Sequence, residues 1–223
     1  MLFGSLRWKL ATVAVAGVIA SGGGVASETP DAILGSVKTA VDQLRSVHVA
    51  GALKSGSTRF TLDLDLTAGK GGEGSMSENN LGFKIVLLGR TVYLDADSAF
   101  WSHFGGKAAA ELFAGRWLSM PASGQFASLA SFLNVHTLFS MMFDNSNDSK
   151  VVKGGTSTVD GQAVIALEDP TGHGTLYVAS KGAPYPIEIV DTGADSGQLA
   201  FSRFDQPVSL KAPAGAINLT QLK

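Results

Sequence analysis

The sequence predicts an α+β fold in which a strongly curved antiparallel sheet, a half-barrel, wraps around helices and encloses a hydrophobic cavity. Short runs of alternating apolar and polar residues, separated by turns, recur along most of the chain, which is typical of antiparallel strands. The helical segments are too few and too unevenly placed for the repeated crossovers of a parallel sheet. Helices that cover the apolar face of such a half-barrel only in part leave a cavity.

The composition fits one domain with a sizeable core. The chain has 223 residues, 45% of them hydrophobic, and its 17 basic and 19 acidic side chains nearly balance. This length is enough to bury one core, and the charge balance gives no electrostatic reason to expect a nucleic-acid partner. The chain has no cysteine, which excludes disulfides, thiolate metal sites and cysteine nucleophiles.

The N-terminus predicts export. Arg7 and Lys9 precede an apolar run over residues 10–20 that is too short to span a bilayer, and small residues follow it. We interpret residues 1–27 as a signal peptide and residues 28–223 as a single mature domain. An uncleaved N-terminal anchor is the alternative. Lipidation through a thioether is excluded because it requires a cysteine.

An amphipathic helix opens the mature chain. Pro30 suits the first turn of a helix. Apolar residues then recur at spacings of three and four, at Ile33, Val37, Ala40, Val41 and Leu44. This stripe predicts a core-facing helix that ends near Ser46.

Strand patterns follow the helix. Over residues 59–67, Phe and Leu alternate with Thr and Asp, which predicts a strand with one buried and one solvated face. The glycines of residues 69–74 predict a turn into a polar strand around residues 75–79. Residues 82–88 and 91–95 then form a tight hairpin around Gly89 and Arg90.

The middle of the chain lacks a strand period. Residues 100–117 have an irregular pattern, with a short helix predicted over 107–113. Residues 123–143 form a helical region whose larger side chains are mostly apolar, so the sheet or a ligand must cover it. Residues 144–150 are predicted to form a polar loop.

The remaining sequence returns to strands. Residues 151–153 and 159–167 are predicted as strands, and residues 174–204 as a three-stranded antiparallel meander with short turns. Residues 207–213 close the fold. The aromatic and aliphatic side chains of the meander are expected on one face, which something else must cover.

The sequence patterns that could indicate a cofactor site, a metal site or a catalytic site are better explained by structural roles. The glycines of residues 69–74 have the spacing of a dinucleotide fingerprint, but no helix or crossover follows them. The loop 144–150 alternates like calcium ligands, but it lacks the glycine and glutamate of such a site. The four histidines lie far apart, and no nucleophile elbow occurs. We therefore expect no catalytic residue, metal or cofactor and no enzymatic activity; a lipid hydrolase is the least favoured function.

The cavity walls are predicted on the apolar faces of the strands and of the mid-chain helices. Each candidate could instead belong to a closed protein core, and one residue of slip in strand register would exchange the two faces of the sheet. The candidate wall residues are Leu62, Leu64, Leu66, Ile85, Leu87, Val92, Leu94, Phe126, Leu129, Leu133, Phe139, Tyr177 and Ile187.

The mature chain resembles the LppX and LprA/F/G family of mycobacterial envelope lipoproteins from about Pro30 to Lys223. The shared features include the first helix, a Trp117-containing run before the mid-chain helices, and short phrases along the strands. These phrases are Arg90-Thr-Val-Tyr-Leu, Val152-Lys-Gly-Gly, Gly174-Thr-Leu-Tyr-Val-Ala with Pro184-Tyr-Pro-Ile, and Phe204-Asp-Gln-Pro-Val. The family normally carries a lipobox cysteine, and this chain departs from it there.

The resemblance implies a half-barrel whose hydrophobic cavity holds acyl chains of an envelope lipid or lipoglycan for transfer. The expected protein is a monomeric carrier in the periplasm, cell envelope or medium, and it is associated with the membrane if its N-terminus is retained. A membrane transporter is a further candidate partner. The alternative function is a non-catalytic envelope scaffold or protein-binding module with a closed core.

Overall fold

Twelve strands form one sheet, accompanied by four α-helices, in the residues that the computed structural model describes, which are 25–143, 151–170 and 173–221. The helices are α1 (Pro30–Asp42), α2 (Ser98–Phe113), α3 (Ala127–Phe132) and α4 (Val135–Phe143). The strands are β1 (Ser46–Ser55), β2 (Thr58–Thr67), β3 (Gly71–Glu78), β4 (Leu81–Leu88), β5 (Thr91–Ala96), β6 (Leu118–Pro121), β7 (Val152–Val159), β8 (Gln162–Glu168), β9 (Gly174–Ala179), β10 (Pro186–Asp191), β11 (Gly197–Ser202) and β12 (Ile217–Asn218).

The sheet is open and almost entirely antiparallel. Its strand order is β12-β6-β5-β4-β3-β2-β1-β11-β10-β9-β8-β7, so β12 and β7 are its edges. All pairings are antiparallel apart from that of β12 with β6. The meander predicted over residues 174–204 is present as β9, β10 and β11, and β11 pairs with β1 to join the C-terminal strands to the N-terminal ones.

The first helix covers part of one sheet face, as its apolar stripe predicts. The Oγ1 atom of Thr29 accepts a hydrogen bond from the N–H of Ala32 and caps the N-terminus, and Pro30 occupies the first turn. Ile33 and Val37 are fully buried in the main apolar cluster. The helix ends at Asp42, four residues before the predicted end.

The residues just before this helix also pack on the fold. Val25–Ser27 forms a 3-10 helix, and Val25 is 9% exposed within the main apolar cluster. The ammonium of Lys153 donates hydrogen bonds to the carbonyl oxygens of Ala26 and Glu28, at 2.8 and 3.0 Å. The last residues assigned to the signal peptide therefore contact the domain, whereas residues 1–24 and the predicted loop 144–150 lie outside the described residues.

The glycine-rich turn predicted over residues 69–74 is wrong in length. Strand β3 already begins at Gly71, which lies opposite Leu88, and a Cβ atom on Gly71 would lie 2.1 Å from the carbonyl oxygen of Leu87. The glycines in β3 therefore mark a close approach of two strands and not a loop.

Two further predictions about local structure are wrong. The strand predicted over 159–167 is interrupted by a turn at Asp160 and Gly161, both with positive φ, so β7 and β8 form a hairpin. The short helix predicted over 107–113 is present as the second part of α2, but α2 already begins at Ser98 and so includes most of the segment that was predicted as irregular; Gly106 interrupts it at φ 78°. Residues 207–213 form no strand; the closing strand is β12, which pairs with β6.

None of the helices in the described ranges has both the length and the apolar character needed to span a membrane.

Replacing Gly71 with Ala should destabilise the sheet, because Gly71 has φ 124° and faces the carbonyl of Leu87. We expect the free energy of unfolding to fall by roughly 1–3 kcal/mol. Gly35→Ala in α1 is the matched control: its added Cβ meets no atom within 4 Å, so it should raise stability by about 0.5–1 kcal/mol. Urea titration measures both changes, and equal stability of the two variants would contradict the close approach.

A chain that begins at Glu28 should be less stable than one that begins at Val25. The shorter chain loses the packing of Val25 and one carbonyl acceptor of Lys153. Burial of a Val side chain predicts a difference of roughly 1–3 kcal/mol in the free energy of unfolding. Thermal and urea unfolding of the two chains measure it, and identical midpoints would show that residues 25–27 add nothing to the fold.

Candidate functional site

Most of the predicted wall residues lie together on the inner face of the sheet, which is the face covered by α1, α3 and α4. They belong to one buried apolar cluster, and Phe126 packs against that cluster while partly buried. The clustered residues are Leu62, Leu64 and Leu66 on β2, Ile85 and Leu87 on β4, Val92 and Leu94 on β5, and Leu129, Leu133 and Phe139 from the α3–α4 region.

Rows of side chains cross this inner face from strand to strand. Leu64 lies opposite Val49 in the β1–β2 ladder, and Val49 lies opposite Phe201 in the β1–β11 ladder. All three are buried in the main cluster. Since paired residues in a sheet project to the same side, this row runs across the middle of the inner face.

Helix α4 covers the row through aromatic contacts. The ring of Phe139 lies 5.3 Å from that of Phe201, and it stacks on Phe143 at 5.8 Å with an interplanar angle of 4°. The Asn134 side chain caps α4 by accepting a hydrogen bond from the N–H of Thr137 at 2.9 Å. By contrast, the six-residue α3 has no side-chain hydrogen bond at its N-terminus.

The interior is closed at these walls. Leu64, Leu66, Ile85, Val92 and Leu133 are 0% exposed, so no water-sized space adjoins them. The open cavity expected from the sequence is therefore not present at these residues. The apolar surface that a cavity would need is present, and side chains of α1, α3 and α4 share one buried cluster with it.

Tyr177 and Ile187 do not belong to this interior. Ile187 lies with Val164 and Ala179 in a second, smaller buried cluster, and Tyr177 packs against that cluster. Because Val164 pairs with Ala179 while the adjacent Ile165 and Val178 belong to the main cluster, the small cluster is on the outer face of the sheet. The prediction that these two residues line the same space as Leu64 is wrong.

The inner face of the meander comes from neighbouring positions that the wall prediction omitted. Leu176, Val178, Ile189, Leu199 and Phe201 are all nearly or fully buried in the main cluster. Alternation identified β9 as a strand but left open which of its two faces is inward, and the large Tyr177 suggested the wrong one. Leu176 and Val178, both aliphatic, were the available signal.

The inner row of β4 runs between two clefts. Phe83, Ile85 and Leu87 alternate along this strand and belong to the main cluster. At the Phe83 end lies a cleft of about 480 Å³ that is bounded by Ala96 and Gly115 and also by the outer-face positions Ser75, Lys84 and Asp95. At the Leu87 end a cleft of about 420 Å³ separates the β4–β5 turn from the α3–α4 region.

A polar network occupies the outer face where β1, β2 and β11 meet. The Nδ1 atom of His48 lies 3.1 Å from a carboxylate oxygen of Asp65, and the guanidinium of Arg203 lies 2.9 Å from the same oxygen. These side chains tie the ends of three strands together. In the described ranges, no group of three or more His, Cys, Asp or Glu side chains is arranged to hold a metal ion.

Asp205 fastens the segment after β11 to the sheet. Its carboxylate accepts hydrogen bonds from the backbone N–H of Arg45 at 2.7 Å and from the Tyr185 hydroxyl at 2.9 Å. The Arg45 backbone N–H, with the Tyr185 hydroxyl and the Arg45 guanidinium, lowers the pKa of Asp205 although burial opposes this. Burial, then the hydrogen bond to Asp205 and the negative charge of that residue, raise the pKa of Tyr185.

The fold was compared with known proteins. No protein-family model matches the sequence, and no curated protein matches it significantly. Among solved structures, the crystal structure of LprF from Mycobacterium bovis is similar with a TM-score of 0.56 and 17% identity, covering 87% of this chain and 100% of that one. The Mycobacterium tuberculosis lipoprotein LppX is similar with a TM-score of 0.53 and 19% identity, covering 81% of this chain and 98% of LppX.

The chain has the LprF and LppX fold. The predicted class, a curved antiparallel half-barrel with helices on its inner face, is confirmed, and so is the resemblance recognised in the sequence. At 17–19% identity these likenesses show the fold and do not extend to what the protein binds.

Replacing Asp205 with Asn should make the free energy of unfolding of this LprF-like fold less dependent on pH in the acidic range. Folding lowers the pKa of Asp205. The carboxylate therefore contributes fully to the free energy of unfolding above its unfolded pKa, about 3.9. This contribution is lost as the pH falls through the lower pKa of the folded state. The wild type should therefore be more stable than Asp205→Asn at pH 7, and the difference should shrink below about pH 4.

Urea unfolding of both proteins between neutral and acidic pH measures this difference. Asp42→Asn, at the exposed end of α1, is the control for the loss of one carboxylate elsewhere on the surface. A constant gap between wild type and Asp205→Asn at every pH would show that the carboxylate charge has no part in fastening this segment.

Proposed function

We propose that this protein is an exported, non-enzymatic carrier that holds acyl chains of an envelope lipid or lipoglycan between the inner face of its half-barrel and helices α3 and α4. The observation that supports it best is the apolar character of this inner face, which β2, β4, β5 and β11 share. The carrier acts as a monomer between membrane and cell wall, and it receives or delivers its lipid with a membrane transporter as partner.

The chemistry of the inner face selects the ligand class. In the part of the chain that the structure describes, Ser46 is the one polar residue classed as buried, and its hydroxyl donates to the backbone carbonyl of Gln206. Among the described residues, the buried side-chain atoms without a hydrogen-bond partner are Thr67 Oγ1, Glu78 Oε2 and Trp101 Nε1, so the walls offer a ligand few polar contacts. Acyl chains need none, since burial of each methylene contributes about 0.8 kcal/mol without a directional contact.

Loading requires α3 and α4 to move away from the sheet. The space in front of Leu64, Leu66 and Ile85 is filled, so an acyl chain can enter only if it replaces side chains of these helices. The short, uncapped α3 is the weaker of the two elements. An acyl chain along Phe83, Ile85 and Leu87 would then run between the two clefts at the ends of this row.

The closed interior also favours a second function, that of an envelope scaffold or protein-binding module. Such a protein would keep α3 and α4 packed and use its outer face or its edges for a partner. The two functions differ in one measurable property, the uptake of an acyl chain. Native mass spectrometry of protein purified from its own envelope detects a bound lipid directly. If the protein is uniformly free of lipid and takes up no long-chain fatty acid, the carrier function is wrong and the scaffold function is favoured.

Replacing Leu133 with Ala should create space that an acyl chain can fill. Leu133 is fully buried between α3 and α4, so we expect a loss of roughly 2–5 kcal/mol in the free energy of unfolding. If acyl chains occupy this region, a saturating long-chain fatty acid should raise the melting temperature of Leu133→Ala more than that of the wild type.

The control is Val152→Ala, because Val152 is 44% exposed on the edge strand β7. This variant should neither lose much stability nor change its response to the fatty acid. If the fatty acid shifts the melting temperature of neither the wild type nor Leu133→Ala, the carrier function is wrong and the closed core is permanent.

A further inference from the structure

Helix α2 exposes apolar side chains that nothing in the described part of the chain covers. Phe104 is 39% exposed and Leu112 is 57% exposed, and both lie on this helix. Leu112 is the most exposed large apolar side chain among the described residues. Burial of such side chains by a partner would be favourable, because it would remove their apolar surface from water.

The helix has a projecting tip. Gly106 takes φ 78°, which breaks α2 into two helical pieces, and residues 102–108 are all exposed. Phe104 lies on one side of the break and Lys107 on the other, with 91% of the Lys107 side chain exposed. The exposed stretch 102–108 therefore carries both an aromatic ring and an ammonium group.

Lys107 is the one cation of α2, and it follows Phe104 by three residues. His103 and Lys107 are the ionisable residues between Ser98 and Ala110, and no acidic residue lies in this stretch. Asp97 is engaged as the cap of the helix, where it accepts a hydrogen bond from the N–H of Phe100 at 2.9 Å. The nearest acid on the helix is Glu111, 3.8 Å from Lys107 in an exposed pair of little strength.

Aromatic contacts connect this tip with the inner face of the sheet. The Phe104 ring lies 4.7 Å from that of Phe100, and the Phe100 ring lies 5.3 Å from that of Phe83 on β4. Phe100 and Phe83 both belong to the main buried cluster.

We propose that α2 docks the protein on a lipid bilayer, with Phe104 and Leu112 inserted below the headgroups and Lys107 placed at the lipid phosphates. An aromatic ring and a lysine at the boundary of a bilayer satisfy both its apolar and its anionic layer. An acyl chain would then pass between the bilayer and the inner face along Phe104, Phe100 and Phe83. The transfer of an acyl chain at this surface rests on the proposed carrier function, whereas binding of α2 to the bilayer does not.

Flotation of the exported protein with vesicles tests the docking surface. The probes are vesicles of phosphatidylcholine alone and of phosphatidylcholine with phosphatidylglycerol. The wild type should bind both, and more strongly when phosphatidylglycerol is present. Phe104→Ser and Leu112→Ser should each weaken binding by roughly tenfold, as expected for the loss of one buried apolar side chain. Lys107→Glu should remove the preference for phosphatidylglycerol.

Val152→Ser is the matched control, because it removes a comparably exposed apolar side chain from the edge strand β7, far along the sheet from β4 and β5, which α2 contacts. Its vesicle binding should equal that of the wild type. All variants change exposed positions, and circular dichroism with urea unfolding verifies that they are folded. A wild type that binds neither vesicle, or a Val152→Ser variant that loses binding as Phe104→Ser does, would overturn the proposal and leave α2 as a surface for a protein partner.

Lipid content of the same samples separates this proposal from the carrier function. Native mass spectrometry should find that Phe104→Ser still takes up a long-chain fatty acid, since the inner face is unchanged. If the wild type binds vesicles through α2 but takes up no fatty acid, the docking surface stands and the carrier function fails. If the wild type takes up fatty acid but ignores vesicles, the carrier function stands and the docking surface fails.

Discussion

The structure depends on covering one apolar face of an open sheet. A strand has two faces, and β2 shows the division: Leu62, Leu64 and Leu66 are buried, while Asp63 and Asp65 between them face the polar side. An open sheet cannot close on its own inner face as a full barrel does. The helices α1, α3 and α4 must therefore supply the missing layer, and the contact of Phe139 with Phe201 fastens the last of them.

Regular local patterns could be predicted from the sequence, and choices that depend on distant contacts could not. The β4–β5 hairpin and the core stripe of α1 follow from residues that are neighbours along the chain. The inward face of β9 is different, because both Tyr177 and its neighbours are apolar enough to be buried. Only the pairing of β9 with β8 and β10 decides that Leu176 and Val178 point inward.

The roles of the glycines in β3 and α2 also depend on distant contacts and could not be predicted from the local sequence. The glycines of β3 look like a turn in sequence, since a turn is the commonest place for such a cluster. Gly71 instead lies against the carbonyl of Leu87, a neighbour that is close only after β3 and β4 have paired. In α2, Gly105 and Gly106 obscured a helix because they lower its propensity and break it in the middle. The clefts and the closed interior depend on packing, which no local pattern encodes.

The closed interior and the exposed helix are two outcomes of one constraint, the removal of apolar surface from water. Where the chain has enough helix, as at Leu133 and Phe139, its own side chains cover the sheet and a ligand must replace them. Where it does not, as at Phe104 and Leu112, the surface stays open to an external partner. The Phe83–Phe100–Phe104 ring contacts join the two regions in a continuous line of apolar side chains. This continuity favours the proposed carrier over a scaffold with a permanent core.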